Sequence, residues 1–446
     1  DVYKRQSQLG RTIDRANHHY YLTNSSGQYV DASGTVVDRE DRVARPESER
    51  FLDVPYIDPL YDHIDQFYDP GNYSNVSVNL ARNSNETNFL ASFVNRQEAG
   101  VVLDHGGFEM NSLRLNLDHR LGTNLEFAFS GFHSRSKRDN LPGDTFFDLV
   151  QQAPDANLLE PDPDGTPYNW APDPLGVTPN PLYDIYVRKD DEKRARTLAS
   201  ADLRWSPTGW LSFDSNLSYD NSDRLQRLYF PRGKKTDIAS WEEGIIRRGS
   251  GTTTALNGSI SANAKASFRD LTVRGTGRVL MEKEEYEFFE AEAAGLTVGD
   301  VNDLNAGTTP NVTGSTEDIR SEGYFFIGGA DYQGKYILDG LIRRDGSSLF
   351  GPEQRWHTYY RTSAAWRMAL EPWWPLEDVS EFKLRYSLGT AGGRPSYSDR
   401  FETYSFGEAG ALGKSTLGNR FLKPERAREQ EFGLDIILRN RISAQL

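Results

Sequence analysis

The chain has 446 residues, a formal net charge of −14 and no cysteine. The absence of cysteine excludes disulfide frameworks, thiol catalysis and cysteine-based zinc sites, and the acidic balance disfavours nucleic-acid binding, since a phosphate backbone needs a basic surface. No apolar run reaches the roughly 18 residues of a transmembrane helix, but the mean hydropathy of −0.67 is compatible with a transmembrane barrel, whose strands are only half apolar.

The first 70 residues are polar, contain turn residues throughout and show no periodicity. We interpret 1–70 as an irregular linker or a remnant that follows another domain. Strand-like alternation begins after this segment, so 71–446 is predicted to form the second unit.

Alternation of apolar and polar residues recurs through 71–446 and predicts strands with unlike faces. The runs are about 9 to 13 residues long, which is the length that crosses a bilayer when a strand is tilted. The clearest apolar series are Leu113, Leu115 and Leu117; Leu211, Phe213, Leu217 and Tyr219; Leu256, Ile260, Ala262 and Phe268; Leu271, Val273 and Val279; Phe382, Leu384, Tyr386 and Leu388; and Phe432, Leu434, Ile436 and Leu438.

The connections between these runs alternate between short and long. Tight turns are predicted at 122–124, 207–209, 269–270, 333–335 and 440–441, and long polar loops at 134–193, 221–254, 282–320 and 391–428. In an up-and-down sheet every second connection lies at the same end. Short turns at one end and long loops at the other are typical of outer-membrane barrels.

Alternation alone also fits soluble sandwiches, propellers and β-helices. No fixed period of about 20 to 50 residues is visible, which disfavours propellers and solenoids. Strand length and loop parity disfavour a sandwich. The pattern therefore favours an all-β fold, a transmembrane antiparallel up-and-down β-barrel.

One motif makes the sequence recognisable. The stretch 341–351, Leu-Ile-Arg-Arg-Asp-Gly-Ser-Ser-Leu-Phe-Gly, with later tryptophans and a Leu-Lys-Pro-Glu segment at 422–425, resembles TonB-dependent outer-membrane receptors, and within them the SusC/RagA group. The resemblance covers about residues 60–446. Its motif residues, to which we assign a structural role, are Arg343, Arg344, Asp345, Gly346, Ser347, Ser348, Phe350, Gly351, Trp356, Trp366, Lys423, Pro424 and Glu425.

The resemblance implies a barrel of 22 strands around a plug, of which we count about 13 or 14 strands here and expect the plug to be mostly absent, as in an internal fragment. It also implies a location among the lipids of the outer membrane of a Gram-negative (diderm) bacterium. The implied activity is energy-coupled import of oligosaccharides or peptides, with a TonB–ExbB–ExbD complex and a SusD-like lipoprotein as partners. Two alternatives stay open: a siderophore- or cobalamin-type TonB receptor, and a soluble β-rich carbohydrate-binding or carbohydrate-active protein.

The other motifs of the sequence predict no catalytic residue, no cofactor and no enzymatic activity. Gly413-Lys414-Ser415-Thr416 lacks the glycine spacing and the helix of a phosphate loop. Asp162-Pro163-Asp164-Gly165 suggests loop calcium but lacks the full ligand spacing. The histidines form no clear ligand set. Charged residues on the strands are expected to face the lumen: Arg274, Arg278, Lys383 and Arg385.

Overall fold

The computed structural model describes residues 21–22, 24, 28–44, 46, 61–153, 156–173, 178–406, 410–419, 421–439 and 441–446. Its main feature is a 14-stranded antiparallel sheet in which each strand pairs with the strands that precede and follow it in the sheet's chain order. The strands are β1 (Tyr73–Asn83), β2 (Thr87–Glu98), β3 (Phe108–Leu121), β4 (Leu125–Asp139), β5 (Lys189–Thr208), β6 (Leu211–Phe230), β7 (Ile245–Phe268), β8 (Leu271–Leu296), β9 (Gly307–Tyr332), β10 (Tyr336–Ser347), β11 (Trp356–Arg367), β12 (Val379–Gly392), β13 (Thr403–Phe406), β14 (Leu412–Thr416), β15 (Arg426–Leu438) and β16 (Ile442–Gln445).

The strand count confirms the expected 13 or 14, and the all-β antiparallel prediction is confirmed with it. Strands β13 and β14 form a separate hairpin inside the connection from β12 to β15, so the large sheet runs from β12 directly to β15. Among the described residues, β1 and β16 are the two edges of the sheet.

The sheet has one apolar face and one polar face. Directly paired residues of neighbouring strands lie on the same side of a sheet, so the registers show which residues belong to each face. One row across four strands reads Leu117, Phe129, Ala201 and Leu217. The next row reads Asp118, Ala128, Asp202 and Asn216. We call the side of the first row the outward face and the side of the second the lumen face. The same registers put Arg274, Arg278, Lys383 and Arg385 on the lumen face, as predicted.

The connections alternate in length along most of the sheet; the exception is at β11, where 368–378 is longer than 348–355. One end carries the short links 84–86, 122–124, 209–210, 269–270, 333–335, 368–378 and 439–441, and we call it the short-turn end. The opposite end, the long-loop end, carries 99–107, 140–188, 231–244, 297–306, 348–355 and 393–425. The predicted turn at 440–441 falls partly on a residue outside the described part of the chain.

The strands are longer than predicted, and this shortens the predicted long loops. Residues 221–230 and 245–254 belong to β6 and β7, and most of 282–320 belongs to β8 and β9, which have 26 residues each. The physical reason is that these strand ends lie beyond the apolar stretch, where both faces are polar and alternation disappears. For the same reason 134–139 and 189–193 belong to β4 and β5.

In the described part of the chain, three short α-helices lie outside the sheet. They are α1 (His63–Phe67), α2 (Thr145–Gln151) and α3 (Pro181–Val187). The Asn180 side chain accepts a hydrogen bond from Leu182 N and so caps α3, with Pro181 in the first turn. No helix in the described ranges has the length and apolar character needed to cross a membrane.

The segment predicted as an irregular linker, 1–70, lies partly outside the described residues. Its described part contains α1 and an isolated bridge between Val30 and Val36. Arg42 is buried and forms an ion pair with Asp173 in the connection between β4 and β5. This part of the segment therefore packs against the long-loop end.

Candidate functional site

The connection 140–188, which we call the cap, folds over the lumen at the long-loop end. Its two helices, α2 and α3, share a buried apolar core with side chains from neighbouring connections and strands. Phe230 and Ile245, at the ends of β6 and β7, point into this core from the lumen face. Because the core sits on the lumen face, the cap covers part of the opening. Its buried members are Phe67, Val102, Leu149, Leu158, Tyr168, Leu182, Tyr183, Ile185, Val187, Phe230 and Ile245.

Two lysines of the connection between β6 and β7 hold the cap in place. Lys235 Nζ lies 2.8 Å from Asp162 Oδ2, and Lys234 Nζ lies 3.0 Å from Asp164 Oδ2. Burial raises the pKa of Asp164, but hydrogen bonds from Thr166 and the charge of Lys234 outweigh burial and lower that pKa to about 2. Both carboxylates are therefore ionised and paired at neutral pH.

These contacts bear on the calcium suggestion for Asp162-Pro163-Asp164-Gly165. The two carboxylates that would bind the ion already face lysine ammonium groups. In the part of the chain that the structure describes, no group of three or more His, Asp or Glu side chains is placed to bind a metal. The loop does not fit calcium in this arrangement.

A second feature of the long-loop end is a cleft in the lumen face, which we call the lumen cleft. It has a volume of about 520 Å³ and lies on strands β10, β11, β12 and β15. Its floor is formed by small residues, since Ser387, Gly389 and Ala391 occupy successive lumen-facing positions of β12. Larger polar and aromatic side chains line both sides of this strip: Arg343, Asp345, His357, Tyr359, Arg361, Glu429 and Glu431.

Charges in the lumen cleft are only partly neutralised by the chain. Arg361 pairs in register with Gly389, and Gly389 pairs with Glu429, so the cation and the carboxylate flank the glycine on one row. Two strand spacings separate them by about 10 Å between Cα atoms. Among the described residues, Arg361, Glu429 and Glu431 form no ion pair. All three are exposed to the cleft and can contact a ligand.

The connection 393–425 passes over the lumen cleft and contacts both β8 and the connection 348–355. Arg394 Nη2 lies 2.8 Å from Glu282 Oε2 on β8. Arg400 Nη1 donates to the carbonyl oxygen of Phe350 at 3.0 Å. The cleft is thus bounded by strands below and by this connection above.

The motif that carried the resemblance divides between the two faces. Arg343, Asp345 and Ser347 are on the lumen face beside the cleft. The Arg343 guanidinium donates from Nε to Asp345 at 2.6 Å and lies 4.7 Å from the centre of the Phe325 ring. Ser347 is buried, and its hydroxyl accepts a hydrogen bond from Leu349 N. Phe350 is also buried and packs edge-on against His357.

The outward half of the motif has a different role. The Arg344 guanidinium lies 5.6 Å from the centre of the Trp356 ring, and Trp356 packs on Gly346, where a β-carbon would approach the ring to 2.9 Å. The Ser348 hydroxyl accepts a hydrogen bond from Arg320 N at 3.0 Å. These contacts fix the outer ends of β9, β10 and β11, while Gly351 begins the following bend.

The structure does not bring the remaining motif residues to the cleft. Trp366 lies at the short-turn end, where its Nε1 donates to Glu371 Oε1 at 3.0 Å. Lys423, Pro424 and Glu425 lie in the connection before β15, and the carbonyl of Glu425 accepts a hydrogen bond from Gly393 N. The motif residues thus lie in three separate parts of the fold.

Sequence reasoning missed Arg361, Glu429, Glu431 and Arg394. Strand alternation alone assigns the first three to the lumen face, once the register is known. Their proximity depends on strands that are far apart in sequence, since β11 and β15 are both neighbours of β12. No local motif marks them.

The structure places the phosphate-loop-like stretch in a strand. Gly413, Lys414, Ser415 and Thr416 belong to β14, and Lys414 Nζ lies 3.0 Å from Glu402 Oε1. A backbone that cradles phosphate precedes a helix, whereas here it forms a hairpin with β13. The arrangement does not support nucleotide binding.

Comparison with known proteins identifies relatives of the chain. Residues 144–446 match the family model described as TonB dependent receptor-like, beta-barrel. The TonB-dependent receptor P26 of Formosa agariphila is 24% identical over 77% of this chain and 35% of its own length. The TonB-dependent receptor P3 of the same species is 22% identical over 93% of this chain and 43% of its own length. The chain thus spans less than half the length of either relative.

Solved structures show the same fold. The structure of the RagAB peptide transporter superposes with a TM-score of 0.68 at 16% sequence identity. The match covers 86% of this chain and 45% of that chain. At this identity the likeness concerns the arrangement of strands.

Proposed function

This chain belongs to the family of TonB-dependent receptor β-barrels, and we propose that it forms part of the barrel wall of a transporter that imports oligosaccharides or peptides. Members of the family reside in the outer membrane of Gram-negative bacteria. The short-turn end therefore faces the periplasm and the long-loop end faces the exterior of the cell. The apolar outward face meets lipid and the polar lumen face meets water. No covalent chemistry is needed for this role.

The lumen cleft is the observation that carries the proposal. It lies at the outer end, where a ligand arrives first, and it offers charged groups that have no ion-pair partner among the described residues. Arg361 suits a carboxylate or a hydroxyl oxygen, and Glu429 suits an ammonium group or a hydroxyl proton. Tyr359 and His357 offer ring faces for a sugar or a peptide plane. These groups suit both oligosaccharides and peptides.

Energy coupling and capture would need partners. We propose a TonB–ExbB–ExbD complex that acts through a plug, and a SusD-like lipoprotein that covers the long-loop end. The resemblance of 341–351 to the SusC/RagA group supports both. The long connections at this end provide the surface such a lipoprotein would contact.

Growth on defined nutrients tests the proposal. In the source bacterium, the gene would be replaced by a version with Arg361→Gln and Glu429→Gln. We expect uptake of the imported oligosaccharide or peptide to fall about tenfold or more at limiting concentration, because each lost charge-assisted contact weakens binding by roughly 1.5 kcal/mol or more.

A matched control is Arg344→Gln, which removes a cation of the same motif region from the outward face. Its uptake should stay near that of the unchanged protein. If deletion of the gene impairs growth only when iron is scarce, a siderophore receptor replaces our proposal. Normal uptake by the cleft variant would contradict the assignment of the lumen cleft.

A further inference from the structure

Strand β9 has a free edge above the end of its neighbour β10. Its pairing with β10 stops where Ser321 meets Ser347, whereas β8 continues as a partner of β9 as far as Gly307. Among the described residues, no hydrogen bond reaches the backbone of 309–319 from any element other than β8. Residues 309–316 are all exposed, so the described part of the chain leaves this edge uncovered.

The last contact below the edge shows which backbone groups lie on it. Arg320 donates its N–H to Ser348 Oγ at 3.0 Å, and its carbonyl oxygen accepts a hydrogen bond from Ser348 N at 2.8 Å. Both backbone groups of Arg320 therefore point to the β10 side. Every second residue of an antiparallel strand points the same way. The free side thus carries the N–H and C=O groups of Val312, Gly314, Thr316 and Asp318.

The sequence of β9 sets the two ends of this edge. Pro310 is the next residue in the series, and it ends the run of donors because it has no N–H. Charged side chains begin at the other end with Glu317. Between them, 311–316 contains neither a charge nor a proline, the features that usually protect a sheet edge from pairing. The unprotected edge from Val312 to Asp318 is about 20 Å long.

The free edge belongs to a sheet that holds it in an extended conformation. Strand β8 pairs with β9 on one side and with β7 on the other, and β7 pairs with β6 up to Ile245. Several paired strands therefore support the edge. A ligand that binds there does not have to order the strand first, which lowers the entropic cost of binding.

An extended peptide is the ligand that this edge fits. The N–H and C=O groups of a peptide strand alternate with the same two-residue repeat, so they can pair with successive groups of the edge. The hydroxyl groups of a sugar chain do not repeat in this order along one line. An added strand would lie in line with β10. Asp318 is about 10 Å along β9 from Ser321, whose partner Ser347 lines the lumen cleft.

We propose that the free edge of β9, residues 311–318, binds peptides by adding them to the sheet as an extended strand. The inference rests on the proposed import function and narrows its substrate to peptides. Recognition is through the main chain, so peptides of many sequences can bind. One end of the bound peptide reaches the lumen cleft, where Arg361 and Glu429 can contact its charged groups.

Binding of a peptide without charged ends tests the proposal, because such a peptide gains little from the charges of the lumen cleft. The probe is a heptapeptide of alternating threonine and serine, amidated at one end and blocked by a fluorophore at the other. Fluorescence anisotropy would measure its binding to the full-length receptor in detergent. The test variant combines Val312→Pro and Thr316→Pro, which removes two donors from the free edge and none that face β8. The matched control combines Val312→Ala and Thr316→Ala, which shortens the same side chains and keeps both N–H groups.

We expect the unchanged receptor and the alanine control to bind the probe alike. The proline variant should bind it about thirtyfold more weakly, from roughly fivefold for each lost hydrogen bond. A second probe of the same sequence, with a methyl group on every backbone nitrogen, needs no variant. It should bind the unchanged receptor at least as weakly as the first probe binds the proline variant.

Equal binding by the proline variant, or of the methylated probe, would overturn the proposal. An equal loss in the alanine control would assign binding to side chains and overturn it as well. Light scattering that finds two copies of the unchanged receptor but one of the proline variant would show that the edge pairs with a second copy instead. If the variant with Arg361→Gln and Glu429→Gln loses the probe while the proline variant keeps it, this inference fails and the proposed import function stands.

Discussion

At the scale of single residues, glycine shapes the lumen face by allowing charges to meet across three strands. Arg274 on β8 and Asp339 on β10 are both paired in register with Gly329 on β9. Their side chains form an ion pair above that glycine. A β-carbon at position 329 would lie 2.6 Å from Arg274 Nε and 2.7 Å from Asp339 Oδ1. The middle strand therefore needs a residue without a side chain.

Replacement of Gly329 should lower the stability of the sheet. We expect Gly329→Ala to destabilise the protein by about 1–3 kcal/mol, because the new methyl group forces the ion pair apart. The matched control is Gly340→Ala on β10, since a β-carbon there meets no atom within 4 Å. Heating in detergent, with the folded fraction followed by gel mobility, compares the two. Equal melting of both variants would show that the ion pair adapts without cost.

At the scale of elements, the stability of the cap depends on pH through a carboxyl group on helix α2. Asp148 on α2 is half-buried, and burial, together with the charges of Asp144, Asp237 and Asp184, raises its pKa to about 6. A folded-state pKa above the unfolded value means that the protonated form favours folding. The stabilisation is complete below about pH 4 and is lost as pH rises through about 6. The paired Asp164 opposes this only at lower pH, where its own carboxylate is protonated.

Substitution of Asp148 should make the cap more resistant to protease cleavage at neutral pH. A shift of this size corresponds to roughly 3 kcal/mol, which solvent screening of a half-exposed group reduces to about 1 kcal/mol. Asp148→Asn should therefore slow protease cleavage within the cap about fivefold at pH 7.5 and have little effect below pH 4. Glu160→Gln, in the same connection, controls for loss of charge alone. The idea fails if the two variants are cleaved equally at pH 7.5.

The elements also show how far the sequence could predict the fold. Within the bilayer, water and lipid impose unlike faces, so rows such as Leu113, Leu115 and Leu117 revealed the strands and their sides. Beyond the bilayer both faces meet water, and runs such as Glu284-Glu285 carry no alternation, so 282–296 was mistaken for a loop. The motif at 341–351 predicted the family. The lumen cleft could not be predicted, because Arg361 and Glu429 come onto one row only through the pairing of β12 with both β11 and β15.

At the scale of the whole molecule, the sheet has a defined direction across the membrane. All connections of two or three residues lie at the short-turn end, and the two longest, 140–188 and 393–425, lie at the opposite end. The cap and the lumen cleft both lie at the long-loop end. The orientation of the chain thus decides whether these surfaces face the outside of the cell.

Epitope insertion tests that orientation. An epitope placed between Gly299 and Asp300, both exposed in the connection 297–306, should be labelled by antibody on intact cells. An epitope between Gly122 and Thr123, in a short turn, should be labelled only after the outer membrane is permeabilised. Exposed loop tips tolerate insertions, so both proteins should fold. The reverse labelling pattern would mean that the barrel is inverted relative to our description.

The unequal strand lengths give the rim of the sheet a tall side and a low side. Strands β8 and β9 contain 26 residues each, whereas β10 and β11 contain 12 each. At about 3.3 Å per residue and a tilt of about 45°, the rim at β8 and β9 stands roughly 30 Å higher than the rim at β10 and β11. The connection 393–425 starts from the low side and reaches Glu282 on β8 through Arg394. Strand β8 thus anchors the connection that covers the lumen cleft.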